Sequence, residues 1–451
     1  MLCSKGYRVS KDDPKVVDEL VCALTVTPRD DFGGFGDDAS FCVCRETANF
    51  LYIPKHFGLQ RFGVPRSVRL SEPERIRLNF RGELMANQVA PVEAYMRAAR
   101  DPLQMGGILQ LPPGYGKTVI ALYLAAELGV KTLVLAHKEF LMNQWIERIE
   151  AYLPGCRVGV LKQGSVKTVD RDIVVGSVQS VSMRDYDPSV FEGFGMVIVD
   201  ECHHVGAGVF SRALPKVTFR YALGLSATVT RKDGLTCVFK WFLGDVVYRI
   251  ARKTSVECRV LVERFVPERS EGLYGRELTL PNGKPNIARM INVLASCEER
   301  TLRIVDIVTS MLQETPTRSV IVLSDRRAHL EHMQTLLRKN DVDAGLYVGG
   351  MSNARLEESK TKPALLGTYS MVSEGFDLPR LDTLVLATPK SDVEQSVGRI
   401  QRKHCLTEDD NVPTVVDVVD NYSVFANQAI RRTRFYNKNK YVVSEHDKKI
   451  S

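Results

Sequence analysis

The sequence has no run of apolar residues near the roughly 18 that a membrane-spanning helix needs, and Met1 to Ser10 lack the apolar core of a secretory signal. An intracellular, soluble protein with no membrane partner is therefore expected. Cysteine is sparse and scattered: among ten in 451 residues only Cys42 and Cys44 lie close together. That spacing excludes a disulfide framework and a two-pair zinc pattern, and free thiols in a reducing compartment are expected. Low-complexity runs and short repeats are also missing. Charge of one sign is in small excess, with 61 Lys and Arg against 54 Asp and Glu, which permits a polyanionic partner without requiring one.

What is present suits a globular chain. Hydrophobic residues at 44% and charged residues at 25% exclude a disordered or coiled-coil protein, and the length corresponds to about three domains. The first 75 residues mix strand-like runs, Phe41 to Cys44 and Phe50 to Ile53, with turn signals such as Phe32-Gly33-Gly34-Phe35-Gly36. From about residue 80, short apolar runs alternate with amphipathic stretches, the pattern of parallel βαβ units. Gly107–Leu111, Thr132–Ala136, Asp172–Gly176, Met196–Val199 and Ala222–Leu225 read as buried strands of one block. Ser319–Leu323, Ala364–Gly367, Thr383–Ala387 and Thr414–Val419 read as those of a second, with a helix over Arg326–Arg338. Two doubly wound α/β domains in tandem are expected, joined near residues 245 to 255. Residues 266 to 288, rich in Pro, Gly and charge, read as a surface loop or insertion. The basic tail from Arg431 to Lys449 reads as a helix, a docking segment or a nucleic-acid contact.

Leu111-Pro112-Pro113-Gly114-Tyr115-Gly116-Lys117-Thr118 follows a strand-like run and precedes a helical one, the setting a phosphate-binding loop needs. Glycines let successive backbone N–H groups face a phosphate, Lys117 reaches the β and γ oxygens, and the Thr118 hydroxyl can ligate Mg²⁺. Leu111 stands where the full six-position pattern has glycine. Met196-Val197-Ile198-Val199-Asp200-Glu201-Cys202-His203-His204 is a buried strand ending in two carboxylates, and strand-end acids of such a sheet face the nucleotide crevice. Asp200 is placed to hold Mg²⁺, and Glu201 to orient or deprotonate an attacking water. Adjacent histidines point in different directions, so metal binding by His203 and His204 is not expected.

Asp200-Glu201-Cys202-His203 resembles the DEAH-like motif II of superfamily 2 helicases and translocases. The resemblance runs from about Gln88 to Arg402. Val134 to Trp145, with His137-Lys138-Glu139 inside it, looks like motif Ia of the XPB-like branch; Val175 to Ser180, Gly224-Leu225-Ser226-Ala227-Thr228 and Arg231-Lys232-Asp233-Gly234 are similar to the motifs that follow. Gly367 to Pro379 resembles motif V, and Gln395-Ser396-Val397-Gly398-Arg399-Ile400-Gln401-Arg402 matches the Gln-x-x-Gly-Arg-x-x-Arg of motif VI. Phe50 to Gly58 is similar to the region before the motor in helicases of large cytoplasmic DNA viruses, including the poxvirus transcript-release type.

The resemblance implies two tandem RecA-like domains, 76–250 binding ATP and 251–451 carrying the basic tail. They follow a small mixed or mainly β domain, 1–75, which engages DNA or a partner or serves as a packing extension. It implies an ATP- and Mg²⁺-using DNA helicase or translocase, in viral transcript release or in DNA repair and recombination. Alternatives are an RNA helicase, and a transcription-complex partner that displaces polymerase or transcript without processive unwinding. RNA polymerase or transcription factors would then be partners, and a virion or cytoplasmic viral factory the location. Pro113, Gly114, Tyr115, Gly116, Lys117, Thr118, Asp200, Gly375 and Asp377 would bind the nucleotide. Glu201, Gln395, Arg399 and Arg402 would carry catalysis, with Arg402 the first choice for an arginine finger and Arg399 its partner. Gln88 would contact adenine or order the loop. His203, Ser226 and Thr228 would couple nucleotide state to the rest of the motor. Lys138, Ser177, Gln179, Ser324 and Thr368 would touch nucleic acid through phosphates, which leaves no sequence preference. For the serines and threonines the other reading is a helix cap.

Overall fold

The computed structural model describes residues 1–28, 40–70, 72–112, 114–229, 234–250, 257–268, 272–373, 376, 378–401 and 411–445. The expected Phe32-Gly33-Gly34-Phe35-Gly36 turn, Pro113, Arg231 to Asp233, Gly375, Asp377, Arg402 and the end of the basic tail lie outside them, as do residues 251–256 of the expected join. The chain divides into two compact units, Met1–Arg252 and Lys253–Ser451.

The first unit is built on an eight-stranded sheet. In spatial order its strands are Ser165–Val166, Val158–Lys162, Ile173–Ser177, Thr132–Ala136, Met196–Val199, Tyr221–Ser226, Gly106–Gln110 and Val246–Arg249. Every pairing is parallel except the Ser165–Val166 edge hairpin. A parallel sheet is covered on both faces, so its central strands are continuous apolar runs. Leu133, Leu135, Val197 and Val199 enter one core, while Val134, Ala136, Met196 and Ile198 enter the other.

The N-terminal region forms a separate sheet in the order Arg45–Glu46, Phe50–Ile53, Gly6–Ser10, Leu2–Cys3 and Val68–Arg69. Two helices accompany it, Pro14–Leu24 and Lys55–Phe62, so it is mixed rather than wholly β. Gly58 is required by close approach, since a Cβ there would lie 2.3 Å from the Tyr7 side chain. The Lys55–Phe62 helix packs on Thr236–Leu243: the Phe57 ring meets Trp241 edge-on at 5.5 Å, and Gln60 Nε2 donates to Asp245 at 2.7 Å. Lys55 is buried at 6% exposure and donates to the Arg220 carbonyl at 2.5 Å.

The second unit carries a seven-stranded, all-parallel sheet in the order Ala344–Tyr347, Ala364–Thr368, Val320–Ser324, Thr383–Leu386, Thr414–Asp420, Arg259–Phe265 and Val442–Glu445. The basic tail resolves into a helix, Ser423–Lys438, and the edge strand Val442–Glu445. The loop after Phe265 packs back on its own unit, with the Tyr274 hydroxyl donating to Asp420 at 2.8 Å. Two buried ion pairs fasten helices to opposite faces of the Thr414–Asp420 strand. Arg300 grips Asp420 through two bonds of 2.8 Å, and Arg432 grips Asp417 at 2.9 and 3.0 Å. Among the described residues no helix is long and apolar enough to cross a membrane.

Two stability predictions follow from these burials. Arg300→Met strands the Asp420 carboxylate and should cost about 3–5 kcal/mol in urea unfolding, most of it recovered in the Arg300→Met/Asp420→Leu double variant; a single variant as stable as the parent would contradict this. Burial, with Arg220 a smaller cause, pushes the Lys55 ammonium down to about 7 from 10.5. Between those values the unfolded chain binds the extra proton, so Lys55 should make stability rise with pH by up to about 1.4 kcal/mol per unit. Lys55→Met should flatten that slope between pH 7 and 9; parallel curves for parent and variant would refute it.

Candidate active site

The phosphate-binding loop leaves the carboxyl end of Gly106–Gln110 and enters the helix Lys117–Leu128. Gly116, which caps that helix, has φ 79° and ψ 33°, a left-handed geometry that costs glycine nothing. A side chain there would also collide, because a Cβ would sit 2.3 Å from Gln88 Nε2. Gln88 is 1% exposed; its Nε2 donates to the Tyr115 carbonyl at 3.1 Å, and its Oε1 accepts the Met85 N–H at 3.0 Å. The Tyr115 hydroxyl in turn donates to the Asn87 carbonyl. The start of the Ala86–Arg100 helix is thus stitched to the loop. Gly114 is exposed and Thr118 half-buried in the first helical turn.

Motif II lies at the carboxyl end of Met196–Val199 in the same sheet. Asp200 is buried; its Oδ2 accepts the Trp145 indole N–H at 2.9 Å and its Oδ1 accepts the Glu201 N–H at 3.0 Å. Burial first, and then the neighbouring Glu201 charge, raise its carboxyl above the ordinary range, against the pull of Lys117 and the Trp145 bond. Glu201 takes a left-handed backbone, φ 43° and ψ 50°, at a cost of about 1–3 kcal/mol. That turn brings its Oε1 to 2.6 Å from Lys117 Nζ.

The chain of contacts continues beyond the carboxylates. His203 Nδ1 lies 3.5 Å from Glu201 Oε2 and 2.8 Å from Ser226 Oγ. The Ser226 hydroxyl also donates to the Thr228 carbonyl. The Ser226 carbonyl also accepts the Leu111 N–H at 2.9 Å, at the entry to the loop. Among the described residues no three His, Cys, Asp or Glu side chains are grouped to hold a metal ion.

In the second unit, Gln395 and Arg399 lie on the helix Glu394–Ile400; Arg399 is buried and its Nη1 donates to the Phe376 carbonyl at 2.7 Å. Of the nucleic-acid candidates, Lys138 precedes the helix Glu139–Tyr152, Gln179 is exposed, and Thr368 ends its strand with Oγ1 3.3 Å from Ser370 Oγ. Ser177 accepts the Ser180 N–H at 3.3 Å as a helix cap. Ser324 must be corrected: it is 0% exposed, and its hydroxyl is committed to His329 Nδ1 at 3.1 Å and the Arg326 N–H at 3.1 Å, which leaves no face for a polymer. Trp145 is the residue the motif reading missed. Its signal was present, since a buried indole needs an acceptor for its N–H.

A lysine-bearing loop and two strand-end carboxylates on one parallel sheet, followed by a second such sheet, define an ATPase motor with tandem RecA-like domains. Residues 82–231 match the family described as type III restriction enzyme, res subunit. A protein of Acanthamoeba polyphaga mimivirus, named as an ATP-dependent RNA helicase, is 30% identical over 98% of this chain and 86% of its own length. A protein of Invertebrate iridescent virus 6, named as a helicase, is 29% identical over 97% of this chain and 98% of its own. The DNA-bound structure of the ATP-dependent type ISP restriction-modification enzyme LlaBIII shares the fold, with a TM-score of 0.55 at 16% identity, over 87% of this chain and 33% of that one. The chain belongs to the viral superfamily 2 helicases, and is a nucleic-acid-dependent ATPase.

Gln88→Ala unties the loop from the helix that holds it. It should raise the KM for ATP about tenfold, the worth of one to two buried hydrogen bonds, with a smaller change in kcat. An unchanged KM in steady-state hydrolysis would show that the loop holds its shape without this residue.

Proposed function

We propose that the protein couples MgATP hydrolysis to movement along DNA. The observation that supports this best is the continuous contact chain Lys117–Glu201–His203–Ser226, which joins the phosphate site to motif III. The γ-phosphate of an arriving ATP competes with Glu201 for the Lys117 ammonium. Glu201, released, turns to the attacking water as its base, and the His203 contact moves with it. Ser226 and Thr228 carry that change to the loop on which the strand Tyr221–Ser226 ends.

Thr118 and Asp200 offer the hard oxygen donors that suit Mg²⁺, which keeps few protein ligands and shares the phosphate oxygens. The ion, when bound, neutralises charge on the phosphates during transfer. Arg399 and Arg402 supply positive charge to the transition state with Gln395 as their catalytic partner, and Gly375 and Asp377 complete the nucleotide contacts. Lys138, Ser177, Gln179 and Thr368 bind strand phosphates. The name of the mimivirus relative favours a second reading, in which the strand is RNA.

Steady-state hydrolysis with no polymer, single-stranded DNA, duplex DNA and RNA tests both. DNA should stimulate most; stronger stimulation by RNA would decide for the second reading. Lys117→Ala and Glu201→Gln should each lower kcat by about 10²–10⁴ while nucleic-acid binding persists. Hydrolysis retained in both variants would overturn the site.

A further inference from the structure

Within the first unit, a cavity of about 460 Å³ opens between the N-terminal sheet and the segment that follows motif II. Its size falls in the range of roughly 300–1,000 Å³ typical of small-molecule sites. The phosphate-binding loop takes no part in its lining. Four cationic side chains, Lys5, Arg45, Lys55 and Arg212, line it, and among the described residues no carboxylate does.

None of the four makes an ion pair with a described residue. Lys55 donates only to the Arg220 carbonyl, and Arg212 Nε only to the Gly208 carbonyl at 3.1 Å. Lys5 lies 5.5 Å over the Tyr52 ring. Burial holds the Arg45 guanidinium below its usual range. A buried lysine without a carboxylate is costly, and Lys55 stays because its stem is packed and one proton is accepted. Aromatic side chains share the wall: Phe41, Tyr52 and Phe219 line the cavity with the cations, and the Lys55 ammonium sits 5.6 Å from the Phe219 ring.

Two requirements narrow the guest. Four cations in a wall that shows no carboxylate among the described residues call for an anion, although Asp185 also acts on Arg45. The aromatic and aliphatic remainder calls for a flat, weakly polar body attached to that anion. A bare phosphate meets only the first, and a nucleoside only the second. We propose that the cavity is a second nucleotide site, separate from the motor, which holds one nucleoside monophosphate unit with its phosphate at Lys55 and its base against the aromatic wall. The unit is either a free nucleotide or the terminal residue of a strand. The cations match phosphate, and base stacking on aromatic rings is tolerant of base identity. The proposal does not depend on which polymer the motor tracks.

Gly208, in the helix Ala207–Ala213 on the opposite wall, offers an independent handle: a Cβ added there meets no atom within 4 Å, so a larger side chain can be accommodated in the open space. The test is calorimetric titration of the full chain carrying Lys117→Ala, which weakens the motor site. Thymidine 5′-monophosphate, thymidine, inorganic phosphate and 5′-phosphorylated tetrathymidylate are titrated in turn. Thymidine monophosphate should bind at least tenfold tighter than thymidine or phosphate. Adding Lys55→Met, or adding Gly208→Leu, should each weaken it at least tenfold, with a cooperative urea transition retained in both and an unchanged midpoint for Gly208→Leu. Of the tetranucleotide binding that Lys55→Met removes, an affinity above that of the mononucleotide assigns the site to a strand end, and an equal or lower one to free nucleotide. Phosphate binding as tightly as the mononucleotide, or an affinity that either added substitution leaves intact, overturns the proposal.

Discussion

The first unit is organised around one ion pair, Lys117 to Glu201, at the carboxyl edge of its sheet. Lys117 is fixed by the loop glycines and by Gln88; Glu201 is fixed by a left-handed turn that only a well-supported backbone tolerates. The strand order explains why the two can meet. Tyr221–Ser226 lies between Gly106–Gln110 and Met196–Val199, so the strand that ends in motif III touches both the loop strand and the carboxylate strand. Ser226 uses that position fully: its carbonyl holds Leu111 and its hydroxyl meets His203. Two contact routes therefore join the phosphate site to Ser226, one through the backbone of the loop and one through the imidazole.

Much of this was legible in the sequence because parallel strands buried on both faces are unbroken apolar runs. Thr132–Ala136 and Met196–Val199 appear in the structure with the expected limits, and Gly107–Leu111 shifts by one residue to Gly106–Gln110. Among the strands that escaped are Val158–Lys162, Val246–Arg249, Arg259–Phe265 and Ala344–Tyr347, which lie toward the edges, where glycine or charge interrupts the run. The two N-terminal helices escaped for another reason. Lys55–Phe62 carries a lysine, a histidine and a glycine on its buried side, each explained only by a distant partner: Arg220, Gly244 and Tyr7. No local pattern encodes such contacts. Ser324 shows the converse failure, since its place after a strand suggests a surface role while His329 claims its hydroxyl inside the core.

Buried aspartates separate the structural from the chemical. Asp420 receives both arms of the Arg300 guanidinium and a tyrosine hydroxyl, and Asp417 receives Arg432 and Tyr436, so each buried charge is matched by a cation in direct contact. These carboxylates are saturated and can only hold helices in place. Asp200 is also buried but receives two N–H groups, from Trp145 and from Glu201, and no cation of its own, because the nearby ammonium is taken by Glu201. Its carboxyl is accordingly raised, chiefly by burial. A buried acid kept short of positive charge, yet oriented by two neutral donors, is poor stabilising design and good ligand design. It keeps lone pairs and unmet electrostatic demand at the carboxyl end of its strand. A divalent cation with few protein ligands would satisfy that demand without disturbing the donors that aim the carboxylate, which is the physical reason for proposing Asp200 as the Mg²⁺ ligand and Glu201 as the base for water.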